Sequence, residues 1–421
     1  MKFDIKNLEE FFRKLYGSDP IELETQFNRY QALITRQLEY FSEDDIHLFS
    51  SPGRTELGGN HTDHNRGRVL AASINLDSIA AVTKNDSGKI TLFSEGYDKP
   101  FEVNLNSLGI VENEKGTTRA LIRGIASGLV NSGYKIGGFS GCMASNVLPG
   151  SGLSSSASVE ILIGSIFNYF FNEGKISPET LARIGQYAEN EYFGKPCGLM
   201  DQLACAVGGI ISIDFKDALH PLVEKISIDF DSHQYSLLVV DSGGNHADLT
   251  DDYAAVPQEM KAVAKAMGAE TLRELSMGSF LEKIADLRKQ AGDRAVLRAF
   301  HYLQENERVE AQVKALKSGD FRKFLRLVNE SGNSSFKWLQ NIHSGKNPTK
   351  QGLTLALALS EKYISEIGQG ACRVHGGGFA GTIQVFLPSE AVKEYISRME
   401  SVFGKGSVTR LTIRRQGCVV R

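Results

Sequence analysis

Residues 147–158 read Val-Leu-Pro-Gly-Ser-Gly-Leu-Ser-Ser-Ser-Ala-Ser, two glycines and five serines ahead of an apolar run. Small residues let a polyanion approach backbone N–H groups closely. A helix opening near Ser155 would add its unpaired N–H groups and the positive end of its dipole. One serine suffices for an N-cap, and this segment offers Ser154, Ser155, Ser156 and Ser158. Polyphosphate binding is therefore expected here, with a serine hydroxyl available to magnesium; a plain loop with a capping serine is the blander alternative. The Gly-Lys pairs at 88–89, 174–175, 194–195, 345–346 and 404–405 all lack the following Ser or Thr of a P-loop. Gly376-Gly377-Gly378-Phe379-Ala380-Gly381 matches a dinucleotide fingerprint in letters, but strand-like Thr382–Leu387 follows where that fingerprint needs a helix. A tight turn, or a backbone wall facing phosphates or sugar, fits it better.

Two further segments carry polar chemistry. Residues 52–67 gather Arg54, Asn60, His61, Asp63 and His64 in a glycine-rich stretch suited to a hydroxylated ligand, with Arg54 able to neutralise phosphoryl charge. A zinc site at His61, Asp63 and His64 lacks a third nearby His or Cys, and an exposed Asx turn is the remaining alternative. Asp201 lies between Leu199-Met200 and Leu203-Ala204. A buried carboxyl rises in pKa unless paired, and beside a cation it can orient a hydroxyl or take its proton. Glu189, twelve residues earlier, is available to magnesium; the plain alternative is a helix-capping Asp201 and a solvated Glu189.

The elements that must hold these groups are mixed. Strands are expected at Ile46–Phe49, Ile79–Lys84, Lys89–Phe93, Phe101–Leu105, Gly138–Asn146, Ile210–Phe215, Tyr235–Asp241, Thr382–Leu387 and Val408–Ile413. Helices are expected at Arg119–Val130, Ser155–Phe171 and Pro178–Tyr192, and over most of 257–367, with Leu8, Phe11, Phe12 and Leu15 on one face of a short early helix. A chain of 421 residues is too long for one core, and the α+β pattern divides into 1–212 and 213–421. Net charge of −3 gives no general field for nucleic acid. Five cysteines without a CxxC pair fit a reducing cytoplasm. No secretory signal is expected, and the apolar run Val159–Phe171 is too short to span a membrane.

Taken in order, these segments resemble the GHMP kinase superfamily and, within it, the galactokinases. Pro52-Gly53-Arg54 with Gly59-Asn60-His61-Thr62-Asp63 resembles the sugar-binding stretch. Pro149–Ser158 resembles the phosphate loop, Pro196-Cys197-Gly198-Leu199-Met200-Asp201-Gln202 the catalytic-Asp segment, and Arg373–Gly381 the third glycine-rich motif. Glu305–Val309 resembles the family's C-terminal helical region. The resemblance implies a ribosomal-protein-S5-like N-terminal domain with a left-handed βαβ unit, a ferredoxin-like C-terminal domain, and a site between them. It implies ATP and Mg2+, with phosphates on Pro149, Gly150, Ser151, Gly152, Leu153, Ser154, Ser155 and Ser156. It makes Asp201 the base or orienting acid, Arg54 the charge stabiliser, Ser156 and Glu189 the metal ligands, and Asn60, His61, Asp63, Gly198 and Tyr253 the sugar-site residues.

Two departures bear on specificity. Asn60 stands where the resemblance expects a Glu that contacts the sugar's C6 hydroxyl, and His64 replaces a Tyr. No Trp lies near Thr118, where the family often places one; the single Trp is Trp338. The sequence thus implies a galactokinase, with a sister sugar-1-kinase for galacturonate or arabinose as the alternative and a non-catalytic sugar sensor as a reading of another class. A monomer is expected.

Overall fold

A computed structural model describes residues 8–41, 45–147, 150, 152–228, 231–244 and 249–421. The site hangs from one long antiparallel pair, β1 (His47–Gly58) and β2 (Arg68–Asn85). The expected polar turn at 52–67 is thus a strand in its first half, and only 59–67 turns, through a short 3-10 segment at Asp63–Asn65. The β1–β2 register shifts between Pro52 and Arg54 and again between Glu56 and Gly58, irregularities of the kind that re-aim side chains near active sites.

Around this pair the larger sheet runs β12 (Val419–Val420), β1, β2, β5 (Gly138–Ser145), β3 (Lys89–Ser94), β4 (Phe101–Asn104), with β5 and β3 parallel. The other half of β2 pairs with β6 (Ile210–Asp214), which pairs with β7 (Leu222–Ile226). This sheet takes strands from both sides of position 212, since β7 and β12 belong to it. A second sheet has the order β11 (Val408–Leu411), β8 (Tyr235–Asp241), β10 (Thr382–Pro388), β9 (Ala371–Val374).

Helices α3 (Thr118–Asn131), α4 (Ser155–Asn172), α5 (Pro178–Tyr187) and α6 (Met200–Val207) share one core with the larger sheet. Helix α4 buries Ala157, Glu160, Ile161, Leu162, Ile163, Ile166 and Phe167, as a helix apolar on nearly all sides must. Beyond α5 the chain widens into a π-helical turn, Ala188–Phe193, that carries Glu189; such bulges are frequent at functional sites. Helices α1 (Glu9–Tyr16) and α2 (Pro20–Phe41) cover the opposite face of that sheet, packing on Leu48, Ile79, Ala81, Cys142 and Ala144. Helices α7 (Thr250–Ala266), α8 (Met277–Ala291) and α9 (Asp293–Lys317) form a separate cluster. Helix α10 (Phe321–Ser334) uses Phe321, Phe324, Leu325 and Val328 to join the two sheets, and α11 (Gly352–Ile367) and α12 (Val392–Phe403) back the smaller sheet.

One buried carboxylate ties the ends of the chain together. Asp77 on β2 accepts from Tyr16 of α1 at 2.5 Å, Arg29 of α2 at 2.5 Å, Arg414 at 3.2 Å and the Ser50 hydroxyl. Asp77 and Arg414 are fully buried. Residue 414 also pairs with β2, its N–H donating to Ser73 O at 3.0 Å, and beyond it β12 closes the outer edge of β1. Among the described residues no helix is long and apolar enough to cross a membrane.

Candidate active site

The strand, the serine helix, the Asp201 helix and the glycine turn converge on one cavity of about 820 Å3. Its lining includes Arg54, Asn60, His61, Asp63, Gly198, Asp201 and Tyr253, together with Gly150, Gly152, Ser154, Ser155 and Ser156. Leu153 is instead buried in the core below, and Arg54 N–H donates to its carbonyl at 3.0 Å. Pro149 and Ser151 lie outside the described residues.

At the floor, Arg54 and Asp201 form a bidentate pair, Nε to Oδ1 at 2.7 Å and Nη2 to Oδ2 at 2.8 Å. Arg54 Nη1 also donates to Gly152 O, so three of the guanidinium's donors align Asp201 and fasten the serine loop. Burial by itself would raise the Asp201 carboxyl. The Arg54 charge and its hydrogen bonds, with one from Ser154, instead hold it below the usual carboxylate range. Asp201 is therefore an ionised acceptor at neutral pH.

Ser154 adopts φ 61°, rare for a residue with a side chain, and makes no cap on α4. Its hydroxyl turns to Asp201 Oδ2 instead. The capping-serine alternative therefore fails at this position, and the first N–H groups of an 18-residue helix face the cavity without a side-chain cap. Ser156, the second residue of α4, donates to Glu189 Oε1 at 2.8 Å. Gln202 holds the other side of that carboxylate, Nε2 donating to Glu189 Oε2 at 2.9 Å and to Glu160 Oε2 at 3.0 Å. A buried carboxylate oxygen beside a hydroxyl oxygen is a hard donor pair that suits Mg2+, which takes few protein ligands and keeps waters and phosphates for the rest.

At the opposite end, His61 has φ 56° and its Nε2–H donates to Gly377 O at 2.9 Å. Burial, then the neighbouring His64, lowers its pKa to about 4, so the ring is neutral. A Cβ on Gly198 would lie 2.1 Å from Asp63 Oδ2, and one on Gly377 would lie 2.5 Å from the Tyr253 ring. At both glycines a side chain of the cavity lining lies so close to the backbone that a Cβ would not fit. Tyr253 also donates its hydroxyl to Gly378 O at 2.9 Å. The 376–381 glycine segment is thus the backbone wall that its sequence context favoured.

Asn60 is buried and its amide is engaged within the protein. Nδ2 donates to Gly376 O at 2.8 Å and to Glu56 Oε1 at 3.2 Å, while Oδ1 accepts from Asn341 at 2.8 Å and Ser335 at 3.2 Å. Besides Asp63, this end of the cavity holds a second carboxylate, Glu56, which sequence reasoning passed over. Its Oε1 accepts from buried Arg373 at 2.7 Å, whereas Oε2 receives only a long 3.5 Å contact from Asn60. Burial raises its pKa to about 6, against the opposing charges of Arg373 and Arg54. The available signal was spacing: on a strand, Glu56 shares a face with Arg54. His375 was also missed. It links the two halves of the site through Thr55 at 3.0 Å and Thr382 at 3.1 Å.

Two family models match the chain. One, described as the GHMP kinases N terminal domain, covers residues 118–209, and the other, the galactokinase galactose-binding signature, covers residues 38–84. A galactokinase of Clostridium tetani is 31% identical over 309 residues, 70% of this chain and 74% of that protein. One of Mannheimia succiniciproducens is 30% identical over 348 residues, 82% of this chain and 86% of that protein. The solved Lactococcus lactis galactokinase, complexed with galactose, has the same fold with a TM-score of 0.76 at 24% identity, covering 99% of both chains. The Methanococcus jannaschii mevalonate kinase shares the fold with a TM-score of 0.62 at 18% identity, over 87% of this chain and 98% of that one.

Proposed function

The chain belongs to the galactokinases of the GHMP kinase superfamily and is an ATP-dependent sugar kinase, and from that premise we propose that it transfers the γ-phosphoryl group of ATP to the C1 hydroxyl of galactose through Asp201 and Arg54. The observation that carries the site assignment is the bidentate Arg54–Asp201 pair set against the uncapped start of α4.

The sugar's C1 hydroxyl donates to Asp201. A carboxylate held below its usual pKa is a weak proton sink. That suffices, because a loose phosphoryl transition state asks for little activation of the nucleophile. As the new O–P bond forms, the bond from the γ-phosphorus to the bridging oxygen of ADP breaks, the sugar oxygen becomes acidic, and its proton passes to Asp201. Arg54 keeps both Asp201 oxygens aligned, and the Gly152–Ser156 backbone cradles the phosphates. Ser156 and Glu189 would hold Mg2+, which supplies neutralisation of phosphate charge when bound.

Asp63, His61 and Tyr253 border the sugar end, where Gly198 leaves room for Asp63. Asn60 acts there by positioning Glu56 and the glycine wall. Since Glu56 puts a carboxylate at this end, a C6 carboxylate would meet repulsion. That favours galactose over galacturonate.

The test is ADP release with MgATP and a panel of galactose, galacturonate, arabinose, N-acetylgalactosamine and glucose. Galactose should give the highest kcat/KM. A higher value for galacturonate would refute the role given to Glu56, and absence of turnover with every sugar would return the sensor reading.

A further inference from the structure

The Gly-Lys pair at 194–195, which the missing hydroxyl residue excludes as a P-loop, lies at the mouth of this cavity. Gly194 ends the π-helical turn in a left-handed conformation (φ 83°), and the N–H groups of Gly194 and Lys195 both donate to Glu189 O, at 3.0 and 3.1 Å. The turn fixes the Lys195 backbone while leaving its side chain largely in solvent: the side chain is 64% exposed and its Nζ is 3.3 Å from Glu189 Oε1. That single contact is long for an ammonium–carboxylate bond, and the same oxygen already receives the Ser156 hydroxyl at 2.8 Å.

Charge makes the position informative. Among the described residues lining the cavity, the Lys and Arg side chains are Arg54 and Lys195, against the carboxylates of Glu56, Asp63 and Asp201. Arg54 is 6% exposed and committed to Asp201 and Gly152. A triphosphate brought to the start of α4 therefore enters a cavity whose own acids outnumber its cations, and Lys195 is the cation there able to turn toward it. A flexible stem with a point charge is how lysine serves phosphate, without the fixed fork of an arginine.

We propose that Lys195 is a phosphate ligand of the nucleotide, leaving Glu189 to contact the triphosphate held at the start of α4. This rests on the kinase reading for the identity of the polyanion. It adds a residue outside the set that the serine loop and Asp201 supply.

The experiment is calorimetric titration of ATP in EDTA into the wild-type protein and into the Lys195→Met and Lys195→Arg variants, with galactose KM measured in parallel. Lys195→Met should weaken metal-free ATP binding about tenfold, a scale set by one charge-assisted hydrogen bond. It should leave galactose KM unchanged within about twofold, and Lys195→Arg should recover most of the loss. ATP binding by Lys195→Met as tight as wild type would overturn the proposal and leave Lys195 as a partner of Glu189 alone. A loss in Lys195→Met that extends equally to galactose KM would also overturn it, marking a general disturbance of the site. Because the titration needs no sugar turnover, it separates this inference from the galactose assignment.

Discussion

Replacing Gly198 by alanine tests whether Asp63 is positioned by the absence of one methyl group. The Gly198 backbone does not lie in the left-handed region, so alanine adds no φ strain there. The new Cβ would fall 2.1 Å from Asp63 Oδ2, and real Cβ atoms essentially never approach within 3.0 Å, so the carboxylate must retreat by at least 0.9 Å. The retreating atom is the end of a side chain, which makes the change mild for folding. For a group that orients the sugar it is severe: a shift of about 1 Å in a reacting geometry costs about 100-fold, or about 2.7 kcal/mol in kcat/KM. Gly198→Ala should therefore lower kcat/KM for galactose by about 100-fold while its thermal midpoint and its affinity for ATP stay near wild type. The cycle with Asp63→Ala isolates the cause. Once the carboxylate is gone the methyl has nothing to displace, so the double variant should be no worse than Asp63→Ala alone. Wild-type kcat/KM in Gly198→Ala, or losses that simply add in the double variant, would refute the reasoning.

Asp201→Ala should lower turnover by about 10²–10⁴-fold while calorimetry still detects ATP binding; wild-type turnover would sink the site assignment. Glu56 gains a proton as pH falls through about 6, so the preference for galactose over galacturonate should weaken below that pH, whereas Glu56→Gln, which has no such proton to gain, should give a flat ratio. The same acid limb in the variant would exclude Glu56 as its source. The folded-state pKa of Asp77 is held below the ordinary 3.8, because Arg29 and Arg414 outweigh its burial. Its contribution to stability is thus fully present above pH 3.8 and lost as pH falls through the folded value. Asp77→Asn should cost about 3–5 kcal/mol by denaturant unfolding at neutral pH, with the difference narrowing in acid; equal midpoints at neutral pH would count against the network.

The parts of the site that sequence revealed are those that are local in chain. The serine loop, the apolar helix behind it and Asp201 each declare themselves within a dozen residues, because phosphate binding needs small residues beside a helix start. Helix α2 escaped notice because its buried face has Gln26 and Gln37 on either side of Tyr30, Leu33 and Ile34, which blurs the apolar period. Glu56 escaped because the glycines of 52–59 read as a turn, and only the bulged strand puts it beside Arg54. Asn60 looked like the removal of a negative charge from the sugar end. In the structure it is hydrogen bonded to a carboxylate that stands there, Glu56, and this relation depends on contacts with Gly376 and Asn341 more than 280 positions away. Such long-range pairings leave no periodicity to read.

The closure of β1 by residues 419–420 has a consequence for biosynthesis. The strand that carries Arg54 is made long before β12, and its outer edge at Phe49 and Ser50 stays unpaired until β12 follows. Until then the nascent chain presents an open β edge, a template for association with other chains. The Arg414–Asp77 pair, formed at the same late stage, adds to the contacts by which Tyr16 and Arg29 fasten the N-terminal helices to Asp77. Translation products that stop before β12 should therefore aggregate more readily than those that include it.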